Sequence, residues 1–153
     1  MRSKTSTWFE TKIRFEKTVE TGETKKVTET YVVDALSFTE AESTITKEMT
    51  AFISGDMEVK AIKRAPYGEV FFSDIDSDDK FYKAKLQFIT LDDKTEKEKK
   101  SSVYYLVQAS SIEKARKYID EEMGKSMIDY SIASITETPI MDVFEHKTTE
   151  QSK

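Results

Sequence analysis

The sequence predicts an α+β fold in which a strand-strand-helix-strand-strand unit occurs twice. The units form a curved antiparallel sheet, or two joined sheets, with both helices on one face. Three observations lead there: an internal repeat of about 73 residues, strict alternation in the first strand of each copy, and a capped helix after the second strand of each copy.

The repeat is visible as four blocks in one register. Trp8 to Phe15 (Trp-Phe-Glu-Thr-Lys-Ile-Arg-Phe) lines up with Phe81 to Phe88 (Phe-Tyr-Lys-Ala-Lys-Leu-Gln-Phe), and Tyr31 to Ser37 lines up with Tyr105 to Ser111. Ala41, Ile45, Glu48 and Met49 fall on Ala115, Ile119, Glu122 and Met123. Ile62, Pro66, Val70 and Phe71 then fall on Ile135, Pro139, Val143 and Phe144, which makes the only 2 prolines of the chain equivalent. The expected organisation is one domain of 153 residues with repeats at 8–72 and 81–145 and a frayed tail at 146–153. A chain of this length buries roughly 68–70% of its unfolded surface, so it needs no covalent staple.

Alternation in the first strands places Phe9, Ile13 and Phe15 on one face and Trp8, Glu10, Lys12 and Arg14 on the other. In the second copy Tyr82, Ala84, Leu86 and Phe88 point inward, leaving Phe81, Lys83, Lys85 and Gln87 outside. The next strands turn Tyr31, Val33 and Ala35, and likewise Val103, Tyr105, Val107 and Ala109, toward the core. Polar stretches around Gly22 and from Asp92 to Lys100 read as solvated hairpin connections.

Each helix starts with a serine followed three residues later by a glutamate, Ser37 with Glu40 and Ser110 with Glu113. In that spacing the hydroxyl caps a backbone N–H and the carboxylate reaches back. Ala41, Ile45, Met49 and Phe52 form one core stripe, and Ile112, Ala115, Ile119 and Met123 the other. Gly55 and Gly124 sit where the helices should end.

Composition removes most catalysis. With no cysteine and one histidine, His146, no thiolate nucleophile, catalytic triad or multi-histidine zinc site can be assembled. The 4 glycines form neither a phosphate loop nor a dinucleotide fingerprint, and no cofactor is expected. No stretch of 18 apolar residues exists, which predicts a cytoplasmic protein without a membrane span. Carboxylate chemistry alone stays open. Its best candidates are Asp74, Asp76 and Asp78, alternate acids that echo the opening of a calcium loop but lack its glycine and distal glutamate. The plainer reading of that segment is a solvated connector.

The net charge of −5 repels phosphate overall, so a nucleic-acid role needs a local basic face. One is predicted on the outer sheet face, where Trp8, Lys12 and Arg14 in one copy and Phe81, Lys83 and Lys85 in the other interleave rings with cations. Lys63, Arg64 and Tyr67 beside the first proline extend it. Exposed rings stack on bases and cations hold phosphates. The expected function is therefore a non-catalytic, homo-oligomeric module for single-stranded DNA or RNA. The alternative is an assembly module that uses the same face against protein. From Met57 to Met123 the order strand, strand, strand, strand, helix resembles that of Whirly and PUR-type single-strand binders, a likeness of fold only.

The blocks Trp8 to Arg14, Val33 to Glu42, Ile62 to Ala65, Phe71 to Asp74 and Ile140 to Phe144 resemble an uncharacterised domain family of Bacteroides-type bacteria and their phages. The resemblance spans residues 8 to 144. It implies replication, host-takeover or virion roles as the classes to consider, and it supplies no catalytic residues.

Overall fold

A computed structural model describes residues 1–146. Among these residues it contains nine strands and two helices: β1 (Arg2–Thr5), β2 (Trp8–Thr18), β3 (Thr24–Asp34), α1 (Phe38–Thr50), β4 (Met57–Arg64), β5 (Glu69–Phe72), β6 (Lys80–Leu91), β7 (Glu98–Ala109), α2 (Ile112–Met123), β8 (Asp129–Glu137) and β9 (Ile140–Phe144). The class is α+β, as the sequence predicts. The tail beyond His146 lies outside the described residues.

The strands form two sheets, ordered β4-β2-β3-β9 and β1-β5-β7-β6-β8. Both are mixed, which corrects the expectation of antiparallel sheets. The last strand of each repeat runs parallel to its neighbour, β9 along β3 and β5 along β7. Chain connectivity explains this. The chain divides into two compact units, one of residues 1–5 and 66–138 and the other of residues 6–65 and 139–153, so each repeat gives its final strand to the other unit. The cuts fall at Pro66 and Pro139. Just before each proline a backbone N–H, of Ala65 or Thr138, donates to a carbonyl at the start of the paired strand, Trp8 or Phe81, at 2.8 and 2.9 Å.

Two further features repeat in register. A β-bulge interrupts β2–β4 pairing between Lys12 and Ile13, and β6–β8 pairing between Lys85 and Leu86. The arriving strand is latched in the same way in both units. The Ser73 N–H just after β5 donates to Gln108 Oε1 at 2.9 Å, and the His146 N–H just after β9 donates to Asp34 Oδ2 at 3.3 Å.

Each unit has its own helix over its own core, in place of two helices sharing one sheet face. In the β2–β3 unit, Phe9, Ile13, Phe15, Tyr31 and Val33 pack with Ala41, Ile45 and Met49 of α1. In the β6–β7 unit, Phe71, Tyr82, Ala84, Leu86 and Val107 pack with Ala115, Ile119 and Met123 of α2. Two members of the predicted stripes stand outside: Phe52 is 76% exposed and Ile112 50%. Each lies at a helix end, Phe52 beyond the last helical residue and Ile112 at the first, where the apolar face has already turned off the sheet. Ser37 accepts the Glu40 N–H at 3.1 Å, as its spacing requires, whereas the second cap is Ser111, which accepts the Lys114 N–H at 3.2 Å, one residue beyond the expected Ser110 because α2 begins at Ile112. Glu40 also reaches back to the Leu36 N–H at 3.3 Å. Gly124 caps α2, whereas α1 ends earlier, at Ala51 rather than Gly55.

The sheet face opposite each helix is apolar and buried near the start of the long strands. Trp8, Val32, Ile140 and Val143 are buried there in one unit, and Phe81, Leu106, Val70 and Phe72 in the other. This corrects the expectation that this face is open at Trp8 and Phe81. Buried aromatics at the two positions are equivalent, so the repeat holds while the exposure does not.

Candidate nucleic-acid interface

Beyond the buried ring of Phe81, β6 turns Lys83, Lys85 and Gln87 to the face opposite α2, because Tyr82, Ala84 and Leu86 are committed to the core. Strand pairing fixes what lies beside them. Lys85 stands between Tyr104 and Ser134, Lys83 between Leu106 and Thr136, and Gln87 between Ser102 and Ser131. The Lys83 ammonium lies 5.9 Å from the centroid of the Tyr104 ring, within cation–π range. One step further, Ile89 pairs with Lys100, which is exposed, and with Asp129. From Lys83 to Gln87 every registered neighbour on this face is apolar, aromatic or hydroxyl. The first carboxylate is Asp129, at the rim.

The equivalent face of the β2–β3 unit has the opposite character. Lys12 and Arg14 are exposed, but Arg14 pairs with Glu58 across the strands, and Lys63 reaches Glu10 at 3.3 Å. Arg64 is exposed at the end of β4. Cations matched by cross-strand carboxylates present little net field to a phosphate.

The nine predicted binding residues therefore separate. Lys83 and Lys85 form one cluster with Tyr104. Lys12, Arg14 and Lys63 share the other sheet with acids. Trp8, Tyr67 and Phe81 are 1%, 1% and 2% exposed and cannot stack on bases. The reason is legible in hindsight. Trp8-Phe9, Val32-Val33, Phe81-Tyr82, Leu106-Val107 and Val70-Phe71 are apolar pairs of neighbours, and a strand apolar at consecutive positions is buried on both faces. Tyr104 was missed. Adjacent Tyr104 and Tyr105 must face opposite ways, and Tyr105 stacks on Phe71 at 5.1 Å in the core, which sends Tyr104 to the cationic side.

The acidic segment resolves differently from a cation loop. Asp78 is buried, and its Oδ2 accepts the hydroxyls of Ser73 at 2.5 Å and Tyr118 at 2.6 Å. Burial pushes its carboxyl pKa up. The hydrogen bonds from Ser73 and Tyr118, together with the nearby Lys114 charge, outweigh burial and hold it below the usual value. Tyr118 is in turn raised, first by that hydrogen bond and then by burial. Asp74 and Asp76 are exposed, and the described residues hold no group of three potential metal ligands. No helix among them is long and apolar enough to cross a membrane.

Residues 7–146 match a family described as a domain of unknown function, DUF4494. The chain belongs to that family. The match runs from just before β2 past the end of β9, so a DUF4494 domain comprises both units, and β1 precedes it. No curated protein and no solved structure matches the chain.

Proposed function

We propose that this DUF4494 protein binds single-stranded nucleic acid, without catalysis, through the face of β6, β7 and β8 that carries Lys83, Lys85, Tyr104 and Lys100. One observation carries the reading: cations surround a tyrosine on a sheet face whose registered neighbours from Lys83 to Gln87 include no carboxylate, in a chain of net charge −5. Lysines beside hydroxyls suit a phosphate backbone, and a half-buried tyrosine between them offers a stacking platform worth roughly 1–3 kcal/mol per base. Trp8, Phe81 and Tyr67 contribute as core residues only, and Lys12 and Arg14 are secondary because Glu58 and Glu10 share their sheet.

Fluorescence anisotropy with labelled random-sequence DNA and RNA oligonucleotides tests the reading. Binding should weaken with salt, and Lys83→Glu with Lys85→Glu should remove most of it. If these two lysines each neutralise one phosphate, the salt slope should fall by about 1.4 for a single strand. Tyr104→Ala should weaken binding with a smaller change of slope. Absence of binding at low salt, or affinity unmoved by the double charge reversal, refutes the assignment.

A further inference from the structure

An aromatic pair occupies the same place in each unit. Tyr31 stacks on Phe144 with ring centroids 5.6 Å apart, and Tyr105 stacks on Phe71 at 5.1 Å. The acids Asp142 and Glu69, each three residues after its proline, are equivalent as well. Burial pushes the Tyr31 hydroxyl's pKa up, and the hydrogen bond to Glu29 and the charges of Glu29 and Asp142 push it further. Tyr105 is raised by burial and by Glu69. What surrounds the two pairs differs. Two residues before the tyrosine, the β6–β7 unit has Val103, which packs against its core, and the β2–β3 unit has Glu29. Val27, Tyr31 and Val33 pack toward α1, so alternation turns Glu29 to the same, helix side of the sheet. A carboxylate on that face gives up the packing its counterpart keeps. Phe52, in turn, stands where the other copy has Ser126.

The residues peculiar to the β2–β3 unit line a groove of about 430 Å³ beside the end of α1. Met49 and Phe52 contribute from the helix end, and Phe15, Tyr31 and Phe144 from the sheet. Small-molecule sites span roughly 300–1,000 Å³ and have this character, mostly apolar with a few placed polar groups. The polar groups here are carboxylates. The Glu29 side chain is 13% exposed, and its Oε1 accepts the Tyr31 hydroxyl at 2.9 Å. Asp142 is exposed, and its Oδ1 accepts the Val143 N–H at 2.8 Å. Glu16 borders the groove, but alternation turns its side chain with Lys26 to the opposite face. Lys17 is the one cation of the lining, 3.5 Å from Glu29 Oε2 and half exposed, an ion pair of the weak and exchangeable kind. Two carboxylates against one lysine among four aromatic rings call for a cation on an apolar body. Carboxylates only accept, so the cation must carry N–H donors.

We infer that this groove binds a small organic cation, a primary ammonium carried on an aromatic body, with the ammonium donating to Glu29 and Asp142 and the ring lying against Phe144 and Phe52. The ligand takes the place of Lys17 at Glu29 and covers Phe52, which is 76% exposed without it. The site belongs to the β2–β3 unit and uses none of the residues of the cationic face of β6 to β8.

The test is a titration of the full-length, 15N-labelled chain with tryptamine, with indolepropionate, the same ring bearing a carboxylate in place of the amine, as comparison. Saturable amide shifts should appear at Glu29, Tyr31, Phe52, Asp142 and Phe144 with tryptamine only. Glu29→Gln and Asp142→Asn each keep an acceptor oxygen for the Tyr31 hydroxyl or the Val143 N–H and remove one charge. Each should weaken tryptamine roughly five- to tenfold, the size of one hydrogen bond to a charged group at a partly exposed site. Glu20→Gln, the same charge change at an exposed position in the β2–β3 turn, should leave affinity as it is. If the ligand-free spectrum shows that Glu29→Gln disturbs the fold, Asp142→Asn decides. The inference is overturned by an absence of saturable shifts in the groove up to the solubility of tryptamine, or by equal response to indolepropionate. Undiminished affinity in the Asp142→Asn chain, or an equal loss in Glu20→Gln, overturns it as well.

Discussion

The β6–β7 unit and the β2–β3 unit share one frame and differ in what they present. Both have a long hairpin, a bulged third strand, a serine-capped helix and an arriving parallel strand latched by the side chain at the equivalent position, Gln108 or Asp34. The β6–β7 unit has a fifth strand on its edge and a sheet face whose cations lack acidic neighbours from Lys83 to Gln87. In the β2–β3 unit β9 is the last strand of its sheet among the described residues, and the cations Arg14 and Lys63 are matched with Glu58 and Glu10. The buried positions have kept their chemistry in both copies because either unit loses its core without them. The solvent-facing positions are free to diverge, and those are where the two units acquire separate surfaces.

The strongest way to break the comparison is to separate the repeats. Neither sheet contains all its strands within one repeat, so fragments 1–76 and 77–153 should each lack a cooperative melt by circular dichroism and recover it on mixing. A cooperative melt in one isolated fragment would show that strand exchange is dispensable. Next in size is the loss of the equivalent aromatics. Trp8→Ala and Phe81→Ala should each cost about 3–5 kcal/mol in denaturant unfolding, since both rings are almost fully buried. A cost well under that at Phe81 alone would end the equivalence.

Asp78 sharpens the comparison with an interaction peculiar to the β6–β7 unit. Its replacement by Asn disturbs two half-buried hydroxyl donors to a buried carboxylate and should cost about 1–3 kcal/mol at neutral pH. The folded carboxyl titrates below the unfolded value of 3.8. Its stabilisation is therefore present above that pH and is lost as pH falls through the lower folded value. Wild type and Asp78→Asn should accordingly converge in acid, and a gap in melting temperature that stays constant from neutral pH down through that range would remove the charged hydrogen bonds from the account.

The helix caps make the smallest difference. Ser37→Ala and Ser111→Ala should cost about 1 kcal/mol each in thermal unfolding. Glu40→Ala should cost a few tenths of a kcal/mol more than Glu113→Ala, because Glu40 accepts the Leu36 N–H. Equal effects of the two glutamates would show that this reach-back adds nothing.

Much of the fold was legible because its signals are local. The cap at Ser37, the start of α2 to within one residue of Ser110, the stripes through Ile45 and Ile119 and the alternation through Ile13 and Leu86 depend on residues a few positions apart. The candidate site was legible only in half. Lys83 and Lys85 were readable as outward-facing from the phase of β6, but alternation names two faces of a strand without saying which are covered. Trp8 and Phe81 were assigned outward correctly and exposed wrongly. Strand β1 gave no sign, since Arg2-Ser3-Lys4-Thr5 has no apolar alternation and is a strand only because the edge of β5 is there to pair with it.

By itself the sequence determined that the chain is a duplication, where its helices begin and which residues pack beneath them, because those properties follow from spacing along the chain. Tertiary structure alone decided which sheet the strands after Pro66 and Pro139 join and whether they run parallel or antiparallel to their neighbours. A strand's alternation is the same whichever partner it meets. The choice depends on backbone hydrogen bonds and latches between residues far apart in sequence, such as Ser73 with Gln108 and His146 with Asp34.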